Sequence, residues 1–263
     1  MGNIHGDRKR TVSAVVFDMD DTLYPERDYV LSGLRETDRY LTDRFGLSGF
    51  YAASAERFRT GSSRRLFNDT LDQLSFAYDE NLIHELVRQY RKHTPAITLF
   101  HDAAWALERL TAAHGVKLGL ISDGFLEAQK RKVTALDLER VFEAVILSDG
   151  FGREHWKPSP VPYEEMSFQL GAGHETCVYI GDNPLKDFVT AKRLGWLTVH
   201  VCREDGVYAR VPVPPGHEAH YRISSLYQLS GIPELTAFFE ADLVSERRRQ
   251  ALLVHSKEAL SLL

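Results

Sequence analysis

Short runs of apolar residues, each closed by polar or turn-forming ones, recur along the chain at 13–17, 117–121, 141–147, 177–180 and 197–201. Several are apolar almost throughout rather than alternating, the pattern of strands covered on both faces. Between them the apolar spacing changes to three and four, which predicts helices at about 101–113, 125–136, 160–170 and 184–194. The last is punctuated at both ends: Asp182 or Asn183 as a cap, Pro184 in the first turn and Gly195 as the stop. Strands alternating with helices predict an α/β fold built on a parallel sheet.

One stretch breaks the alternation. From about residue 24 to 95 no convincing strand occurs, while Val30, Leu34, Leu41 and Phe45 fall on one helical face. Residues 26–95 are therefore read as a helical insertion placed over the carboxyl end of the first strand, with Pro25 and Pro95 near its boundaries. Residues 1–25 and 96–233 form the discontinuous core. Beyond Pro233, residues 234–263 are read as a helical C-terminal extension.

Composition narrows the classes of function. With 43% hydrophobic and 26% charged residues in 263, a packed core is expected and wholesale disorder is not. A net charge of −5 gives no electrostatic reason to expect a nucleic-acid partner. Two cysteines, Cys177 and Cys202, are too few for a disulfide framework and are read as reduced thiols. The opening segment lacks an apolar h-region, and no apolar run approaches the ~20 residues that cross a bilayer. A cytoplasmic protein with no membrane partner is the expectation.

Four strand ends carry candidate chemistry. In open parallel sheets, ligands bind at the carboxyl ends of the strands. Phe17-Asp18-Met19-Asp20-Asp21-Thr22-Leu23 follows the first strand. There one carboxylate can attack phosphorus while its neighbour two residues on handles the leaving-group proton. Ile121-Ser122-Asp123-Gly124 offers a hydroxyl and backbone N–H groups to phosphoryl oxygens. Trp156-Lys157-Pro158-Ser159-Pro160 offers an ammonium. Tyr179-Ile180-Gly181-Asp182-Asn183-Pro184-Leu185-Lys186-Asp187 offers hard oxygen ligands of the kind Mg²⁺ prefers. Taken singly, each has a bland counterpart: a solvated acidic turn, a helix cap, a surface lysine, a capped helix start.

Their order resembles the haloacid dehalogenase-like hydrolase superfamily, in its phosphatase branch with a helical cap after the first motif. The resemblance covers about residues 12–232. It implies a Rossmann-like three-layer core with a parallel sheet and an inserted helical cap domain that closes over the substrate. Carried over by position, Asp18 would be the nucleophile and Asp20 the general acid and base. The Asp18 carboxylate, the Asp20 carbonyl and Asp182 would hold Mg²⁺. Ser122 and the Asp123 N–H would bind the phosphoryl group, whose charge Lys157 would balance. Thr22, Asn183 and Asp187 would support the site, Asp187 through the metal's water or by orienting Lys157. Two departures are small: Ser122 stands where Thr is also common, and Asp123 where Asn often stands. An acid working near pH 7 implies a raised pKa for Asp20.

The expected activity is Mg²⁺-dependent hydrolysis of a small phosphomonoester, a sugar phosphate or nucleoside monophosphate, through a phosphoaspartate. A phosphomutase or phosphotransferase of the same fold, and a non-catalytic binding protein, are the alternatives. A dehalogenase would need neither Asp20 nor Asp182. A phosphonatase would need a cap lysine, and none occurs between Lys9 and Lys92. The cap instead carries Arg35, Arg39, Arg57, Arg59, Arg64 and Arg65, with Tyr24 and Tyr29 nearby, as candidates for reading the leaving group.

Overall fold

The five expected runs pair side by side, and a sixth short strand joins them. In the computed structural model, which describes residues 10–61 and 64–240, the strands are β1 (Ala14–Phe17), β2 (Lys117–Ser122), β3 (Ala144–Leu147), β4 (Cys177–Gly181), β5 (Leu197–Val201) and β6 (Tyr221–Ile223). All pair parallel, in the order β3-β2-β1-β4-β5-β6. Phe17 lies opposite Leu120 on one side and Ile180 on the other. The register therefore brings the first, second and fourth motifs to one edge of the sheet.

Burial on both faces explains the continuous apolar runs. Val15 and Phe17 point into one core with Leu107, Leu110 and Val133, while Ala14 and Val16 point into another with Tyr163, Met166 and Trp196. Helices α5 (His101–Ala112) and α6 (Leu126–Ala135) thus cover one face, and α7 (Val161–Leu170) and α8 (Val189–Arg193) the other. This is the Rossmann-like α/β sandwich expected.

The insertion contributes α1 (Glu26–Phe45), α2 (Phe50–Arg59), α3 (Leu66–Gln73) and α4 (Glu80–Lys92). They share their own core of Leu34, Leu41, Phe50, Leu66, Leu71 and Leu86. Val30 packs against that core, but Phe45, in the last turn of α1, is 43% exposed. The chain enters and leaves through paired backbone: Phe100 N–H donates to the Leu23 carbonyl at 2.9 Å, and Ala96 N–H to Ser32 Oγ at 2.9 Å.

Three elements differ from the sequence reading. The third strand begins at Ala144 because Phe142 N–H turns back to the Leu138 carbonyl at 3.1 Å. The helix expected from 184 begins at Val189: Asp187 Oδ2 accepts the Asn183 N–H at 2.9 Å and Asn183 Oδ1 the Leu185 N–H at 3.0 Å, which holds the intervening residues in turns. Strand β6 escaped the pattern because it has three residues, with exposed Arg222 in the middle. Of the expected C-terminal extension, residues 236–240 are helical, and Leu235 and Phe239 pack into the core, Phe239 stacking on Trp105 at 5.1 Å. Residues 241–263 lie outside the described part. Both cysteines are free, and no described helix is long and apolar enough to cross a membrane.

Asp102, at the start of α5, gathers the loops that follow β5 and β6. Its Oδ2 accepts from Arg203 Nη1 at 2.6 Å, Ser225 Oγ at 2.7 Å and Leu226 N–H at 2.7 Å. Arg203 in turn donates to the Thr22 carbonyl at 2.8 Å, inside the first motif. Burial works against the Asp102 charge, but these donors outweigh it and hold its pKa below the usual carboxylate value. Its contribution is therefore fully present above the unfolded carboxylate pKa and is lost as pH falls through the lower folded value. Asp102→Ala should destabilise the fold by about 2–3 kcal/mol at pH 7, because the mostly shielded Arg203 loses its carboxylate. In urea denaturation that difference should shrink below about pH 4; a loss that is independent of pH would remove the ion pair as its cause.

Candidate active site

Asp18 leaves β1 at the sheet edge with its N–H donated to the Ile180 carbonyl at 2.8 Å, so β4 holds its place. Its carboxylate is 5% exposed. Lys157 Nζ donates to Asp18 Oδ1 at 2.5 Å and to Tyr179 Oη at 2.8 Å. The same ammonium lies 2.9 Å from Asp187 Oδ1, an ion pair without hydrogen-bond alignment. Gly181 makes room for this arrangement: a Cβ there would stand 2.4 Å from Asp187 Oδ2. Thr22 Oγ1 reaches Asp18 Oδ2 at 3.4 Å. Asn183 supports Asp187 through its N–H.

The charges show what burial costs. Desolvation raises the Asp18 pKa to about 7, with Lys157 opposing and Asp187 adding. Asp182 is pushed well above the ordinary carboxylate range, first by burial and then by Asp18 and Asp187. Burial also opposes the Lys157 charge, but Asp18 and Asp187 outweigh it and keep the group an ammonium. His200, held below its ordinary value by burial, donates Nε2–H to the Asp182 carbonyl at 3.0 Å and fixes that turn.

Asp20 faces a different set. Lys132 Nζ donates to its Oδ1 at 2.7 Å, Tyr24 Oη donates to the same oxygen, and Gln129 Nε2 donates to Oδ2 at 2.9 Å. Burial raises its pKa, but Lys132 and the other donors prevail and the net shift is downward. The raised pKa expected of an acid working near pH 7 is thus corrected: the Lys132 ammonium and two further donors stand at its carboxylate. Sequence reasoning missed Gln129 and Lys132. Their signal was polar side chains within the apolar stripe of α6, where Ala128 and Val133 are buried.

The second motif closes β2. Ser122 Oγ accepts from Gln129 Nε2 at 2.7 Å, and that nitrogen also lies 2.7 Å from the Asp123 carbonyl. Gly124 adopts φ +134°, and a Cβ there would stand 2.9 Å from the Gln129 side chain, so the turn needs glycine twice over. The Asp123 carboxylate is tied on all sides, to Ser148 Oγ at 2.6 Å, Lys157 N–H at 3.2 Å and Lys186 Nζ at 2.8 Å. It is a brace for the loop, which leaves its backbone as the part available to a ligand.

Beside this cluster lies a cavity of about 500 Å³ between the insertion and the core. Asp20, Asp123, Phe125, Gln129 and Lys132 line it from the core; Glu26, Tyr29, Phe58, Arg64, Arg65, Phe67, Tyr90 and Arg91 line it from the insertion. Burial, then Asp20, raises the Glu26 pKa to about 7. The arginines divide. Arg64 and Arg65 reach the cavity, joined by Arg91, which the sequence reading passed over. Arg39 pairs with Glu36 at 2.6 Å, Arg35 stacks on Tyr51 at 4.7 Å, Arg57 donates to Gln73 at 2.9 Å and Arg59 pairs with Glu56. Arg91 of α4 and Arg153 of the core both lie over the Phe125 ring, at 3.5 and 4.4 Å.

The residues present fit a hard divalent cation. Asp18, Asp182 and Asp187 offer carboxylate oxygens within 4.8 Å of one another, all buried. Three carboxylates against the Lys157 ammonium leave negative charge that burial penalises, and oxygen ligands suit the Mg²⁺ class. Asp187 rather than the Asp20 side chain completes this carboxylate set.

Comparison with known proteins agrees with the geometry. A family model for haloacid dehalogenase-like hydrolases matches residues 15–201. A glyceraldehyde 3-phosphate phosphatase of Methanocaldococcus jannaschii is 28% identical over 229 residues, covering 84% of this chain and 96% of its own. A phosphoglycolate phosphatase of Aquifex aeolicus is 27% identical over 189 residues, covering 70% and 82%. Among solved structures, a HAD phosphatase from Thermococcus onnurineus superposes with a TM-score of 0.54 at 24% identity, over 84% of this chain and 97% of its own, a likeness of fold.

The carboxylate cluster sets up a crossed result. Asp182→Asn should stabilise the cation-free protein, because it removes a charge that burial and two like neighbours disfavour. Mg²⁺ at a hundred times its Kd should stabilise the wild type by about 2.7 kcal/mol and the variant hardly at all. Equal stabilisation of both in chemical denaturation would place the cation elsewhere.

Proposed function

The chain belongs to the haloacid dehalogenase-like hydrolase family, and we propose that it is a Mg²⁺-dependent phosphatase that hydrolyses a small phosphomonoester through a phosphoaspartate on Asp18. The observation that carries this reading is the division between the two motif carboxylates. Asp18 is sealed against Lys157 at the sheet edge. Asp20, two residues on, lines the cavity beneath the helical insertion. A phosphoryl group seated between them presents phosphorus to one and the leaving oxygen to the other.

Asp18 attacks phosphorus, and the bond to the leaving oxygen breaks. Lys157, Ser122 and the Asp123 N–H take the phosphoryl oxygens. Asp20 gives its proton to the departing alcohol, then takes one from the water that opens the acyl phosphate. Lys132 disfavours the protonated Asp20, and the negative charge of a bound phosphoryl group acts on it in the opposite sense. Held by Asp18, Asp182 and Asp187, with the Asp20 carbonyl alongside, Mg²⁺ would offset charge on the phosphoryl oxygens. Asp187 also orients Lys157, and Thr22 and Asn183 hold the carboxylates in place.

Residues 26–95 act as a lid that reads the leaving group. Its apolar and aromatic walls suit a carbon skeleton, and Arg64, Arg65 and Arg91 suit an anionic or oxygen-rich tail. The glyceraldehyde 3-phosphate and phosphoglycolate phosphatases among the relatives act on phosphate esters of small, oxygen-rich skeletons.

Asp18→Asn should keep the fold and lower kcat for p-nitrophenyl phosphate by about a thousandfold or more, on the order of 4 kcal/mol of barrier. Retention of a tenth of the wild-type rate would mean that the nucleophile is another group. Among the cap arginines, Arg91→Ala should lower kcat/KM severalfold for the best substrate in a phosphate-release panel and far less for p-nitrophenyl phosphate. Arg39→Ala, at an exposed arginine paired with Glu36, should change neither. Equal effects of the two substitutions would contradict the assignment of the lid.

A further inference from the structure

Helix α6 begins directly after Ser122-Asp123-Gly124, and its buried stripe carries Gln129 and Lys132 to the floor of the cavity. Lys132 is 5% exposed, an unusual place for an ammonium, and the carboxylate within its reach is Asp20, with Nζ 2.7 Å from Oδ1. Its other flank faces the ring of Tyr29 from the insertion at 4.2 Å. Tyr24 Oη adds a second donor to the same Asp20 oxygen and Gln129 a third to the other.

We propose that Lys132, which belongs to none of the four strand-end motifs, is a positioning residue that holds the Asp20 carboxylate over the cavity, away from the Asp18 cluster, where it meets the leaving-group oxygen. The inference rests on the reading of Asp20 as the acid. Asp20 lies beyond β1, bridged to Tyr24 rather than paired in the sheet, so its side chain is not placed by the main sheet. A second buried ammonium, Lys157, stands in the Asp18 cluster. Lys157 already serves Asp18 and Asp187, and a cation among Asp18, Asp182 and Asp187 would strengthen the pull in that direction. An Asp20 drawn there would be spent as a further ligand, out of reach of the departing oxygen. Lys132 supplies the opposing attraction from the far side. The Tyr29 ring also stabilises that ammonium.

The test compares phenyl phosphate with p-nitrophenyl phosphate, which differ little in shape and much in how readily the phenol departs without a proton. The quantity is kcat/KM, which reports the steps through departure of the phenol and not the later attack of water. Lys132→Met should lower kcat/KM for phenyl phosphate at least about tenfold more than for p-nitrophenyl phosphate, and Lys132→Arg should restore most of that selective loss. Tyr24→Phe, which keeps Lys132 and removes a donor to the same oxygen, should move the ratio in the same direction and serves if Lys132→Met does not fold. Asp20→Asn sets the scale. If Asp20→Asn is selective and the Lys132 and Tyr24 variants lower both substrates equally, or neither, Lys132 only packs the helix and the proposal falls. If Asp20→Asn itself is unselective, the acid assignment falls first and the proposal with it.

Discussion

One buried ammonium governs the arrangement. Lys157 is enclosed by Asp18, Asp187 and Tyr179, its side chain fully buried. Three carboxylates packed this closely repel one another unless a cation stands among them, and the fold answers with strand order. Placing β1 beside β4 brings Asp18 within reach of Asp182 and Asp187. A glycine at position 181 gives the third carboxylate its space. The turn that replaces the first part of the expected helix follows from the same need, because Asp187 can bond back to Asn183 only if the chain does not straighten into a helix before Val189.

From that centre the site divides into two compartments. One is the tight ionic cluster at the sheet edge. The other is the roomy cavity floored by α6 and roofed by the insertion. Asp20 stands at the partition, and its partners come from the cavity side. The Asp102–Arg203 pair adds a support from behind: Arg203 holds the Thr22 carbonyl and so braces the loop on which both Asp18 and Asp20 stand. Arg203 also covers the Phe100 ring at 4.0 Å, so the brace is packed as well as bonded.

Much of this was legible in the sequence, and the limits have physical causes. Asp18, Ser122 and Asp182 could be placed because each closes an apolar run, and strand ends in a parallel sheet share an edge. Lys157 and Asp187 followed from their order. Gln129 and Lys132 were not found because a helix pattern read for its apolar residues treats inward polar ones as noise, although these two decide what Asp20 touches. Arg203 and Asp102 are 101 residues apart and meet only through tertiary structure. The arginines of the insertion could be counted but not sorted, since helical spacing does not say whether a guanidinium finds a cavity or a neighbouring glutamate. Strand β6 was too short to show a period.

The Phe125 ring, over which both Arg91 of the insertion and Arg153 of the core lie, bears on how the two parts meet. A seam fastened by a salt bridge would expose two opposite charges on opening and would weaken with ionic strength. Here both charges carry the same sign and are attracted to one neutral ring, by about 1 kcal/mol apiece. Were the two parts to separate, Arg91 would go into water and Arg153 would stay with the ring. The insertion and the core thus meet at this point through a neutral ring, with no opposite charge on either side.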